Sequence, residues 1–197
     1  MENGPFTFLS SGRLVNSIKA HDLALKALDR AEEKVGEIGK RWRYRIAGVG
    51  PDKDKLLSLS QELGLAERLE FTGWLEPSQL PDFYHGGQVL LHPSNIDNYP
   101  NAVMEAMACG LTVIGSNTTG VVNDRIQHGE NGLIHRMGDV EDLATQIAWV
   151  LAHPKELLSI GARARATAEE WPISRGVIMV KDMLRNSDHR KIMTFAC

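Results

Sequence analysis

"QVLLHPSNIDNYPNAVMEAMACGLTVIGS", residues 88–116, decides how the whole chain is read. It opens on an apolar run, Val89-Leu90-Leu91, that stops at His92-Pro93-Ser94-Asn95. It closes on Thr112-Val113-Ile114, β-branched residues that favour a strand. Between them, residues 99–110 are helix formers, among them Ala102, Met104, Ala106, Met107 and Ala108, ending at Gly110. Strand, turn, helix and strand in succession is the unit from which parallel sheets are built.

The alternation continues outward on both sides. Residues 6–9 read as a strand that leaves through Ser10-Ser11-Gly12. Residues 21–35 place Leu23, Leu25, Leu28 and Ala31 among charges, an amphipathic helix. Residues 43–47 form a second strand ending in Gly48-Val49-Gly50-Pro51, and residues 54–65 a helix closed by Gly64. A third short strand over 68–73 and a broken helical turn over 77–87 lead into the opening stretch. Beyond it come a turn and strand over 129–135, a long helix from Asp139 stopped by Pro154, and a further helical segment to Trp171. The pattern predicts an α/β fold: three α/β/α layers around a parallel sheet, with right-handed crossovers. Residues 1–171 form one domain in this reading, 172–185 one more helix and 186–197 a loose tail.

In such sheets, ligands bind beyond the carboxyl ends of the strands. Residues of chemical interest do follow strands here: Gly12-Arg13 after the first, His92 to Asn101 after the fourth, Ser116 to Gly120 after the fifth. Two acids stand out. Asp97 lies in the polar turn ahead of Pro100, and Glu105 interrupts an otherwise small and apolar helix. A buried carboxylate is costly without a partner. Glu105 either accepts hydrogen bonds from sugar hydroxyls in the strand-end crevice or is a structural acid paired to an arginine or a backbone turn. Pro100 suits a first helical turn and Asn98 a cap, and the free N–H groups of that turn would then bind an anion. Arg13 and Lys19, in the loop after the first strand, are either solvated charges or ligands for a diphosphate.

Other motifs carry less. Gly48-Val49-Gly50 has no third glycine at the offset of a dinucleotide fingerprint, so a tight turn is the better reading. Asp52 and Asp54 could hold a divalent cation, but acids in a first helical turn favour the dipole in any protein. His92 stays open between a hydrogen-bonded strand-end residue and a site residue, while Cys109 reads as packing. With 43% hydrophobic residues the chain can bury a core, and a net charge of −3 with scattered basic residues gives no footprint for nucleic acid. Two cysteines, Cys109 and Cys197, make neither a metal framework nor a disulfide pattern. The first ten residues lack the pattern of a signal peptide, and no apolar run approaches the ~20 residues that span a bilayer. The expectation is a soluble protein of a reducing compartment.

With these motifs in place, "GRLVNSIKAHD", "IAGVGPDKDKL", "LGLAERLEFTGWLEPSQLPDFY", "LLHPSNIDNYPNAVMEAMACGLTVIGSNTTGVVNDRI", "GENGLI" and "GDVEDLATQI" together resemble the group 1, retaining glycosyltransferases of the GT-B fold. The likeness is to their C-terminal, nucleotide-sugar-binding domain and covers about residues 6–170. It implies a Rossmann-like sheet, the C-terminal half of a GT-B fold. It also implies that the family's paired acids fall on Asp97 and Glu105, with Glu105 on the ribose hydroxyls and Asp97 near the donor sugar. Asn98, Tyr99, Pro100, Asn101 and Ala102 would supply the backbone N–H groups at the helix start. Gly12, Arg13 and Lys19 would meet the diphosphate, and the segment from Trp74 and Leu75 to Leu80 the base. Arg13, Lys19, Asp97 and Glu105 are the candidate catalytic groups.

The donor would be a UDP-, GDP- or ADP-sugar, used with no cofactor and no metal. The resemblance further implies an N-terminal acceptor domain with no counterpart here, and a cytoplasmic enzyme that could reach a membrane surface through that domain. A helix within 172–185 that would face the missing domain could instead drive self-association. Three departures stand out: Asp97 for the usual Glu, Ala20 for the Gly that commonly follows the Lys, and Asn123 where a Glu is common. They motivate competing readings of a non-catalytic nucleotide-sugar-binding or scaffold module, and of a sugar-nucleotide epimerase on the same fold.

Overall fold

The structure is a computed structural model that describes residues 4–36 and 41–171. The helix and tail expected over 172–197 lie outside the described residues. Six strands form one sheet: β1 (Phe6–Ser11), β2 (Trp42–Ala47), β3 (Leu69–Gly73), β4 (Val89–His92), β5 (Thr112–Ser116) and β6 (Leu133–His135). Their order is β3-β2-β1-β4-β5-β6, and every neighbouring pair is parallel. Among the described residues the helices are α1 (Asn16–Lys19), α2 (His21–Val35), α3 (Lys53–Glu62), α4 (Leu80–His85), α5 (Asn101–Ala108), α6 (Gly120–Arg125), α7 (Val140–Ala152) and α8 (Glu156–Glu169). The chain winds outward from β1 to β3, then returns to lay β4 against the other side of β1. The loops leaving β1 and β4 therefore diverge, and a crevice opens between them at the carboxyl edge.

The strands bury both faces, which is why β4 reads as the unbroken run Val89-Leu90-Leu91-His92, with all four residues buried. Alternate side chains enter two separate cores. Phe8, Tyr44, Ile46, Val89, Leu91 and Ile114 pack with Leu25 and Leu28 of α2 and Leu143 and Ile147 of α7. Leu9, Leu90 and Val113 pack with Val103, Ala106 and Met107 of α5 and Ala164 of α8. Each fully buried Leu or Ile contributes about 1.5–3 kcal/mol. Ala24, Ala27 and Ala31 on α2 are buried and small, so α7 can lie close along it.

Element boundaries differ from the sequence expectation where geometry outside the segment decides. β1 runs on to Ser11 because its ladder with β2 continues to the Ser11–Ala47 pair. α5 begins at Asn101, with Pro100 in extended conformation as the capping residue and no side-chain cap. Asn98 is therefore not the cap. Its carbonyl is packed against the start of α6 instead, where a Cβ on Gly120 would lie 2.1 Å from it. α1 and α6 were not expected, since helices this short carry too few residues to show a period. α7 starts as expected: Asp139 caps it, accepting from the Asp142 N–H at 2.9 Å.

Candidate functional site

The loops after β1 and β2 run side by side, and the glycines of the second make that possible. Gly12 N–H donates to the Ala47 carbonyl at 2.9 Å and Leu14 N–H to the Val49 carbonyl at 3.0 Å. A Cβ on Gly48 (φ 143°) would sit 1.9 Å from the Gly12 carbonyl oxygen, and one on Gly50 would sit 2.4 Å from that of Leu14. The Gly48-Val49-Gly50 pattern is thus a backbone contact between loops. Asp52 serves the same junction, accepting from Asn16 N–H at 2.8 Å and from Lys55 Nζ at 2.7 Å. The Lys55 hydrogen bond holds its carboxyl below the usual range. Among the described residues no three His, Cys, Asp or Glu side chains are grouped as a metal ion would need.

A cavity of about 380 Å³ opens at the carboxyl edge, between β1 and β4, in the range of small-molecule sites. Ser11, Gly12, Arg13 and Lys19 line one wall, and Pro100, Asn101, Ala102 and Glu105 of the α5 start line the opposite one. Ala47, Gly48 and Val49 form the side toward β2, and Trp74, Leu75 and Leu80 the far end. Trp74 is 69% exposed, and its Nε1 donates to Glu76 at 3.1 Å. An open apolar wall at the rim is the result. Arg13 is exposed and makes no ion pair among the described residues.

Glu105 answers the question that its sequence context raises. The Tyr84 hydroxyl of α4 donates to Glu105 Oε2 at 2.7 Å. Tyr84 is 1% exposed, and burial together with this bond pushes its own hydroxyl pKa up, so it stays a donor. Glu105 is therefore anchored from the core side while it lines the cavity on the other. The sequence reading set a structural acid against a ligand-binding one; the side chain is placed to be both.

Asp97 lies just behind Lys19, and the two form an ion pair. Its main chain is held by the β5–α6 loop, with Gly120 N–H donating to the Asp97 carbonyl at 3.1 Å. Burial alone would raise the Asp97 carboxyl. His92 and Lys19 outweigh it and bring the value down to about 2. His92, at the end of β4, is buried, and its Nε2 is 3.4 Å from Asp97 Oδ2. Burial is the main reason its pKa is lowered, partly offset by Asp97.

Of the residues expected at the site, Gly12, Arg13, Lys19, Trp74, Leu75, Leu80, Pro100, Asn101, Ala102 and Glu105 come together around one cavity. Asn98 and Tyr99 do not line it. Asn98 packs on Gly120, and Tyr99 points out, 53% exposed. Asp97 reaches the cavity only through Lys19. Ser11, Ala47, Gly48 and Val49 line it without having been named as site residues, although their position at the strand ends was the available signal. Tyr84 had no such signal. Asn123, the third departure, donates from Nδ2 to the Asn117 carbonyl at 2.9 Å and closes the β5–α6 loop on itself.

Comparison with known proteins fits this geometry. The family described as "Glycosyl transferases group 1" matches residues 2–167. An uncharacterized glycosyltransferase of Haemophilus influenzae is 25% identical over 169 residues, covering 86% of this chain and 46% of that protein. The crystal structure of Anabaena Alr3699/HepE in complex with UDP superposes with a TM-score of 0.81 at 21% identity, over 92% of this chain and 49% of that one. The C-terminal domain of a group 1 glycosyl transferase family protein (LpcC) from Francisella tularensis superposes at 0.74 with 18% identity, over 85% of this chain and 86% of that domain. The chain thus spans less than half the length of the Haemophilus relative. No helix among the described residues is long and apolar enough to cross a membrane.

Proposed function

This chain belongs to the group 1 glycosyl transferases, and from that membership and its cavity we infer that it is the donor-binding, C-terminal half of such an enzyme. The observation that carries the reading is the facing of two walls across one cavity: Arg13 and Lys19 on one side, the α5 start and Glu105 on the other. A nucleoside diphosphate sugar satisfies both walls. Its diphosphate sits between the two cations and the first N–H groups of α5, where the helix dipole adds to the attraction. Its ribose hydroxyls donate to Glu105, which Tyr84 keeps in place. Its base lies along Trp74, Leu75 and Leu80, an aromatic and apolar rim suited to stacking.

As the bond between anomeric carbon and phosphate breaks, negative charge grows on the leaving diphosphate. Arg13, Lys19 and the α5 N-terminus stabilise it where it develops. These groups do the work of a cation, so the reaction needs no metal. Transfer proceeds with retention, onto an acceptor presented by a further domain, in the cytoplasm and close to membranes where the acceptor is a lipid. The Anabaena protein's complex with UDP and the fold shared with the Francisella C-terminal domain support the nucleotide and the C-terminal placement.

Calorimetric titration with UDP-glucose, GDP-mannose and ADP-glucose tests the proposal. One of these nucleotide sugars binds the wild type, and Glu105→Ala weakens it by about tenfold or more, as expected when a charged hydrogen-bond acceptor is lost. Absence of binding to all three, or binding untouched by Glu105→Ala, would refute it.

A further inference from the structure

His92 is a buried polar group that the binding reading leaves unused. Its side chain is 4% exposed, and Nε2 has no hydrogen-bond partner among the described residues. The atom it faces is Asp97 Oδ2, 3.4 Å away, and that same oxygen is the one that holds Lys19. Lys19 also lines the cavity, so it stands between two anions once a diphosphate enters. A lysine drawn to the diphosphate leaves Asp97 half-buried without its cation. Among the described residues, the one other side chain beside that carboxylate is His92.

Resting on the reading of the cavity as a nucleotide-sugar site, we propose that His92 is a positioning residue for Asp97, holding its carboxylate toward the donor sugar when the diphosphate takes Lys19. The shortness of Asp97 gives the device its purpose. An aspartate on the β4–α5 loop has one methylene less to swing with than a glutamate, so its direction depends on what grips it from behind. The Asp97 main chain is already fixed by Gly120 N–H at 3.1 Å. His92, at the rigid end of β4, supplies the side-chain grip. The ring does this as a neutral N–H donor. Burial and Lys19 of α1 disfavour its cation, Asp97 favours it, and the titratable neighbours His21 of α2 and His135 of β6 are themselves buried with lowered pKa values.

The test compares the affinities of UDP-glucose and UDP, or of GDP-mannose and GDP or ADP-glucose and ADP if the chain takes that base. It does so for the wild type, His92→Leu and His92→Gln, each with and without Asp97→Asn. If the Asp97 carboxylate, released by Lys19, is turned to the sugar as proposed, His92→Leu weakens the nucleotide sugar by about tenfold and the bare diphosphate by less than about twofold. His92→Gln, which restores an N–H at similar reach, recovers most of the loss. In the Asp97→Asn background His92→Leu costs nothing further, the signature of residues acting as a pair. Equal losses for sugar and bare nucleotide, or an undiminished loss without the Asp97 carboxylate, would overturn the proposal. If His92→Leu does not fold, the imidazole ¹⁵N signals of the wild type decide instead: Nε2 stays protonated and shifts on binding UDP-glucose, and an unmoved signal overturns the proposal. A wild type that binds no nucleotide at all sinks the binding reading and His92's role together. A wild type that binds without this pattern sinks His92's role alone.

Discussion

The buried histidines make folding sensitive to mild acid, and His21 dominates the effect. It opens α2 with its ring 2% exposed, and Nδ1 lies 3.5 Å from the Tyr44 hydroxyl. Burial above all, with smaller Coulombic opposition from Lys19 and from His92 when that ring is protonated, lowers its pKa from 6.5 to about 4. In the unfolded chain the same ring titrates near 6.5. Between those two values the unfolded state binds the extra proton, so stability falls as pH falls through that window. The gap between 6.5 and about 4, at ~1.4 kcal/mol per tenfold in proton affinity, corresponds to ~3 kcal/mol once pH is below 4. Most of it is lost between pH 7.5 and 4.5. His92 and His135, also lowered chiefly by burial, steepen the same slope. Asp97 does not interfere, because a carboxyl held near 2 loses its stabilising ionisation only below the usual carboxylate range. The assay is urea unfolding of the wild type and His21→Gln at half-unit steps from pH 7.5 to 4.5. The variant is less stable at neutral pH but flatter with pH by ~2–3 kcal/mol over the range. Parallel curves for the two proteins would refute the assignment of His21 as a buried neutral ring.

Three further outcomes are expected. Tyr84→Phe removes the hydroxyl that anchors Glu105; it lowers stability by ~1–2 kcal/mol in denaturant titration and nucleotide affinity several-fold, with no further loss of affinity in Glu105→Ala. Ala20→Gly raises the unfolding midpoint by an amount equal to ~0.5–1 kcal/mol, because Ala20 is held in the left-handed region (φ 51°, ψ 40°) between α1 and α2, which costs a residue with a Cβ. Gly48→Ala costs more than ~2 kcal/mol in the same measurement and abolishes nucleotide binding, since its methyl would sit 1.9 Å from the Gly12 carbonyl and force the β1 and β2 loops apart.

The Gly48 case shows where sequence reading stops. The residues 48–51 stretch reads from sequence as a strand-to-helix turn, and it does join β2 to α3, because turn glycines are a local fact. What the glycines serve, a backbone contact with Gly12 and Leu14, involves a loop far away in the chain. Asn98 shows the converse. Its residue type favours a cap, yet its carbonyl is taken up by the packing of α6, and the helix starts later at Asn101. The short helices α1 and α6 escaped notice because a period needs more than one turn to be seen.

The sequence by itself determined the alternation of strands and helices, the parallel sheet and the carboxyl edge as the place to look, because hydrophobic period and turn chemistry are properties of neighbouring residues. It also marked Arg13, Lys19, Asp97 and Glu105 as residues whose charge needed a reason. Only the tertiary structure decided what each charge meets. Lys19 and Asp97 pair across 78 residues of chain, and Tyr84 reaches Glu105 across 21. Those meetings follow from β4 returning to lie against β1, and a contact made by strand order leaves no trace in the spacing of the residues that make it.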